Sequence, residues 1–113
     1  MAFLQGSSYE LPIVVKDCNG EAITDEMVKK ASFTIGEVTK EYDGKNGEVW
    51  FDIETQSWIL PLTEEETFKF TKSVDWQARF LFNSGKTDGT IPKNEYVYDS
   101  INKTYFGNGG EDA

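Results

Sequence analysis

Histidine is absent from this chain, and cysteine occurs once, at Cys18. Without histidine, triads of the Ser-His-Asp type are excluded, and the usual general acid–base residue is missing. With one cysteine there is no intrachain disulfide and no cysteine-based zinc site. Basic residues are scarce and scattered: Lys and Arg number 11 against 20 Asp and Glu, for a net charge of -9, and the densest basic run is Lys29-Lys30. Such a surface repels phosphate backbones and anionic lipid, so neither nucleic acid nor membrane is an expected partner. No apolar run approaches the roughly 18 residues of a membrane-spanning helix. The opening Met1-Ala2-Phe3-Leu4-Gln5-Gly6 lacks the basic and apolar regions of a signal peptide, so synthesis in a cytoplasm is expected.

What is present is alternation. Tyr9, Leu11, Ile13 and Val15 alternate with Glu10, Pro12, Val14 and Lys16, which places one set on each face of a strand. Pro12 cannot donate to a ladder, so this strand is expected at a sheet edge or bulge. Ala31, Phe33 and Ile35 form a second strand, continued through a kink at Gly36 by Val38, Lys40 and Tyr42. Val49, Phe51 and Ile53 point to the core in a third, with Trp50, Asp52 and Glu54 opposite. Trp58, Leu60 and Leu62 follow, then Trp76, Ala78, Phe80 and Phe82, and a last strand over Ile91 to Ile101. Between them Asp17-Cys18-Asn19-Gly20, Asp43-Gly44-Lys45-Asn46-Gly47 and Asn83-Ser84-Gly85-Lys86 supply the residues that tight turns require. Thr24 followed by Asp25-Glu26-Met27 predicts one helical turn. Thr63-Glu64-Glu65-Glu66 is a capping box opening a second, to about Phe68.

Short strands at these spacings predict an all-β, immunoglobulin-like sandwich of two sheets with one or two short helical turns. Ile13, Val15, Phe33, Ile35, Phe51, Trp58, Leu60, Phe80 and Phe82 are its expected core. The domain spans residues 1–106, with 107–113 as a flexible tail.

Candidate chemistry is sparse. Asp52 and Glu54 share a strand face as a glycosidase pair would, but a solvated outer face accounts for them. Glu64 to Glu66 are accounted for by the capping box. The two glycine-containing turns at 17–21 and 43–48 lack the ligand spacing of a calcium loop. No catalytic residue, metal ligand or cofactor site is therefore assigned. The aromatics Trp50, Tyr96 and Tyr98 fall opposite core-facing neighbours and are the interface candidates. Core packing, a protein interface and a sugar-stacking platform all remain open for them.

Several segments together carry a resemblance. They are Phe3-Leu4-Gln5-Gly6-Ser7 leading into Leu11-Pro12-Ile13-Val14-Val15, Asp17-Cys18-Asn19-Gly20-Glu21-Ala22-Ile23, and Val28-Lys29-Lys30-Ala31-Ser32-Phe33. Leu62-Thr63-Glu64-Glu65-Glu66-Thr67, Gln77-Ala78-Arg79-Phe80 and Val97-Tyr98-Asp99-Ser100-Ile101 complete the set. From about Phe3 to Lys103 the chain resembles small immunoglobulin-like sandwich proteins of phages and prophages of Gram-positive bacteria, including the N-terminal domain type of baseplate upper proteins. The resemblance implies a non-catalytic virion part, a tail or baseplate component or attachment module. It implies assembly in the host cytoplasm, other tail proteins or a second copy as partners, and a weak homo-oligomer. A carbohydrate-binding module is the alternative.

Overall fold

The computed structural model describes residues 2–17, 19–44, 47–90, 92–101 and 103. Among the described residues nine strands run in chain order: β1 Ala2–Leu4, β2 Tyr9–Ile13, β3 Val28–Ile35, β4 Val38–Tyr42, β5 Trp50–Asp52, β6 Ser57–Leu62, β7 Ser73–Phe82, β8 Thr87–Gly89 and β9 Lys93–Tyr98. They form two sheets. The larger has the order β1-β9-β7-β3-β4, with β8 paired to the far end of β7, and the smaller is β2-β6-β5. Pairing is antiparallel except between β1 and β9. Successive strands cross between sheets from β1 to β2, β2 to β3, β4 to β5 and β6 to β7, as in an immunoglobulin-like sandwich.

The inward positions of both sheets meet in one core. Phe33, Ile35, Ala78 and Phe80 from the larger sheet face Leu11, Ile13, Trp58, Leu60 and Leu62 from the smaller. Trp58 is at the centre and fully buried. Its ring lies 5.2–5.8 Å from those of Tyr42, Phe51, Phe33 and Phe80. Its indole N–H donates to the Ile23 carbonyl at 2.9 Å, so the one polar atom of the ring is satisfied inside. Phe51 and Phe82 pack against this core from partly buried positions.

Pro12 does lie on an edge strand, where its missing N–H faces away from β6. Thr63 opens the helix α1, Glu64–Phe68, with both halves of the capping box formed. The turn after Thr24 is a 3-10 turn, Asp25–Met27.

The structure corrects or extends several expectations. Gly36 does not kink one long strand. It turns β3 back into β4, with Ile35 opposite Val38 and Gly36 at a φ of 60°, the positive value a two-residue hairpin wants at its first central position. Ile53 is not inward: it begins the β5–β6 turn and is exposed. The loop after Asn83 holds β8, and the last strand is Lys93–Tyr98 rather than Ile91 to Ile101. The segment Ala2–Leu4, unassigned by periodicity, is a strand lying parallel to β9. Cys18 and the expected tail 107–113 lie outside the described residues. Among those described, no helix is long and apolar enough to cross a membrane.

An ionic clasp runs between the sheets. Lys40 points inward from the edge strand β4, donates to the Pro61 carbonyl at 2.7 Å and meets Glu66 Oε1 at 3.0 Å. The same carboxylate oxygen accepts from the Thr63 amide at 2.8 Å. An inward lysine on an edge also discourages pairing with another chain's strand.

Candidate interaction faces

Alternation that buries one side of each strand presents the other side to solvent, so the candidate surfaces are the two outer faces. On the larger sheet, Val97 of β9 is buried and Tyr96 and Tyr98 point out. β1 brings Ala2 opposite Tyr96 and Leu4 opposite Tyr98, while Phe3 enters the core opposite Val97. Leu4, Tyr96 and Tyr98 are 44%, 57% and 57% exposed, and they form one apolar cluster at the sheet margin. The tyrosine rings are 4.7 Å apart and edge-on at 76°.

Gln5 holds this margin in place. Its backbone amide donates to the Tyr98 carbonyl at 3.0 Å, and its side-chain Nε2 donates to the Phe70 carbonyl at 2.7 Å. Its Oε1 accepts from the Ser100 amide at 3.2 Å and from Lys103 Nζ at 2.6 Å. A buried amide with these partners fixes β1 against β9, which sets the spacing of Leu4 and Tyr98.

The smaller sheet presents a second surface. Trp58, Leu60, Leu11 and Ile13 point in, so Ile59, Pro12 and Trp50 point out. The register puts Pro12 opposite Ile59 and Ile59 opposite Trp50, an apolar row crossing all three strands. Trp50 is 43% exposed. The three aromatics singled out from sequence are therefore all on the surface, but they do not form one site. Tyr96 and Tyr98 lie on one sheet and Trp50 on the other. Leu4 and Ile59, which complete the two clusters, were not singled out. Ile59 could have been found as the odd member of the Trp58–Leu60 alternation. The role of Leu4 depends on a partner strand more than 90 residues later, which no local pattern encodes.

The remaining candidates resolve into turn chemistry. Asp52 accepts the Glu54 amide at 3.1 Å and the Thr55 hydroxyl at 2.9 Å, so this carboxylate closes the β5–β6 turn. Asp17 Oδ1 accepts the amides of Asn19 and Glu21 at 2.9 and 3.0 Å in the same manner. Among the described residues, no group of three or more His, Cys, Asp and Glu is arranged to hold a metal ion. A trough of about 390 Å³ on the outer face of the larger sheet is lined by Lys30, Ser32, Glu41, Arg79, Leu81 and Thr87, which mix both signs of charge in open solvent.

Two carboxylates feel their surroundings. Burial on its own would raise Glu66, but the Thr63 amide and the Lys40 ammonium outweigh it and hold the group below its ordinary 4.5. Glu95 is lowered chiefly by the Trp76 indole N–H, 2.9 Å from its Oε2. Both are accounted for by the packing of the sandwich.

No known family model, curated protein or solved structure matches the chain.

Proposed function

We propose that this chain is a non-catalytic interaction protein of a phage or prophage particle, a tail or baseplate component or its attachment module. The observation that carries the interaction reading is the Leu4–Tyr96–Tyr98 cluster. It is a contiguous exposed apolar group on a rigid sheet, fixed in position by a buried glutamine. Exposed clusters of this kind mark protein contacts, and tyrosine is enriched among the residues that dominate them. The particle assignment rests on the resemblance of residues 3–103 to phage sandwich proteins, with which the two-sheet architecture agrees.

The alternative, a carbohydrate-binding module, has less in its favour at this cluster. Tyr96 and Tyr98 stand edge-on to one another, so the pair does not present two ring faces in one plane to a sugar.

Sedimentation of the chain alone and mixed with purified tail or baseplate proteins tests the proposal. A complex, or a defined oligomer, that is lost in Tyr98→Glu supports it. A monomer in every mixture, together with a tryptophan emission change on adding cell-wall glycans, would move the assignment to the alternative.

A further inference from the structure

We infer that the outer face of the smaller sheet is a second docking site, and that its occupant is a cationic protein segment presenting apolar side chains between its positive charges. It goes beyond the proposed function, naming a partner chemistry for a face that the tyrosine cluster does not include.

Basic residues are missing from β2, β5 and β6: their sequences, Tyr9–Ile13, Trp50–Asp52 and Ser57–Leu62, contain no lysine or arginine. Their only charged residues are Glu10 and Asp52, both acids and both on outward positions of the alternation. Glu10 lies opposite Pro61 and Asp52 opposite Ser57, so the carboxylates flank the Pro12–Ile59–Trp50 row on either side. Lys16 and Lys93 lie beyond Pro12 at the β2 edge, but on the face itself the apolar strip is bordered by Glu10 and Asp52, which makes it complementary to an apolar strip bordered by positive charge.

The whole molecule favours the same partner. A net charge of -9 draws cations toward the surface over distances longer than contact. It also weighs against a second copy as the occupant. A twofold pairing of this face would set Glu10 and Asp52 against their own symmetry mates. Trp50, large and 43% exposed, is the natural anchor, because it can contribute both apolar area and a ring face for lysine or arginine. Pro12 denies an incoming strand one backbone donor on the β2 edge, so recognition runs through side chains on the face.

Nuclear magnetic resonance titration of the whole chain supplies the test. Its three indole N–H signals come from Trp50, Trp58 and Trp76, and the last two are engaged with Ile23 and Glu95. The probes are three short peptides: alternating lysine and leucine, alternating glutamate and leucine, and lysine alternating with serine. The lysine–leucine peptide is expected to move the Trp50 signal and leave those of Trp58 and Trp76 in place. Its affinity, read from the Trp50 signal, is expected to fall about tenfold at high salt and in Glu10→Lys. Unshifted Trp58 and Trp76 signals in the variant show that it is folded.

No movement of Trp50 with the lysine–leucine peptide overturns the inference. So does equal movement with the glutamate–leucine or lysine–serine peptide. Movement on raising the protein concentration with no peptide added overturns it in favour of a second copy. None of these results touches the Tyr98→Glu experiment, which reads the other sheet.

Discussion

On β6, Trp58 points into the sandwich and Ile59 out of it, and on β5 the same division separates Phe51 from Trp50. Trp58 is ringed by four aromatic neighbours and hydrogen-bonded through its indole, whereas 43% of Trp50 is open to solvent. The same two strands therefore carry two tryptophans with opposite work. The inner one holds the sheets together, and the outer one is available to a partner. Mutations that respect this division should separate stability from binding.

Trp58→Ala is the largest expected effect. It removes the centre of the aromatic cluster and leaves the Ile23 carbonyl without its donor, at a cost of about 3–5 kcal/mol. Much of a small domain's stability is of that order, so the variant should melt at far lower temperature or fail to fold in circular dichroism.

Gly47→Ala probes how closely the chain approaches itself beside β4. A methyl there would sit 2.9 Å from the Glu41 carbonyl oxygen, the Tyr42 Cα and the Val49 carbonyl oxygen, all backbone atoms. Because no side chain can rotate away, a loss of about 1–3 kcal/mol is expected in urea unfolding.

The Lys40–Glu66 clasp sharpens the comparison from a third position, since it joins the sheets at their margin rather than at the centre. Glu66→Gln keeps the shape of the capping box and removes the charge, with an expected cost of about 1 kcal/mol. The sign with pH follows from the lowered folded-state value. The clasp's contribution is fully present above the unfolded value near 4.5 and is lost as pH falls through the folded value below it. Unfolding followed from pH 7 down to pH 3 should therefore show the gap between wild type and Glu66→Gln narrowing below about pH 4.5.

Much of this architecture was legible because alternation is a local signal. Leu11 and Ile13, Phe33 and Ile35, and Trp58 and Leu60 all face inward as their spacing requires, and Pro12 marks an edge. The illegible parts are those that depend on distant pairing or on very short segments. Ala2–Leu4 is too short to show a period and becomes a strand only because β9 is there to receive it. Gly36 fits both a kink and a reversal, and only the pairing of Thr34 with Thr39 decides between them. The exposure of Trp50, Tyr96 and Tyr98 follows from alternation, but their division between two faces follows from topology. Ile59 acquires meaning only when Pro12 and Trp50 stand on either side of it.

Trp50→Ala is the smallest expected change in stability and the most direct test of the central claim, that the smaller sheet uses its inner face for folding and keeps its outer face for a partner. The measurement is the free energy of unfolding in urea for wild type and Trp50→Ala under identical conditions. A difference within about 0.5 kcal/mol is expected, as for a surface position that supports nothing else in the fold. A loss of about 2 kcal/mol or more would contradict it, because Trp50 would then be part of the packing that holds the sandwich together.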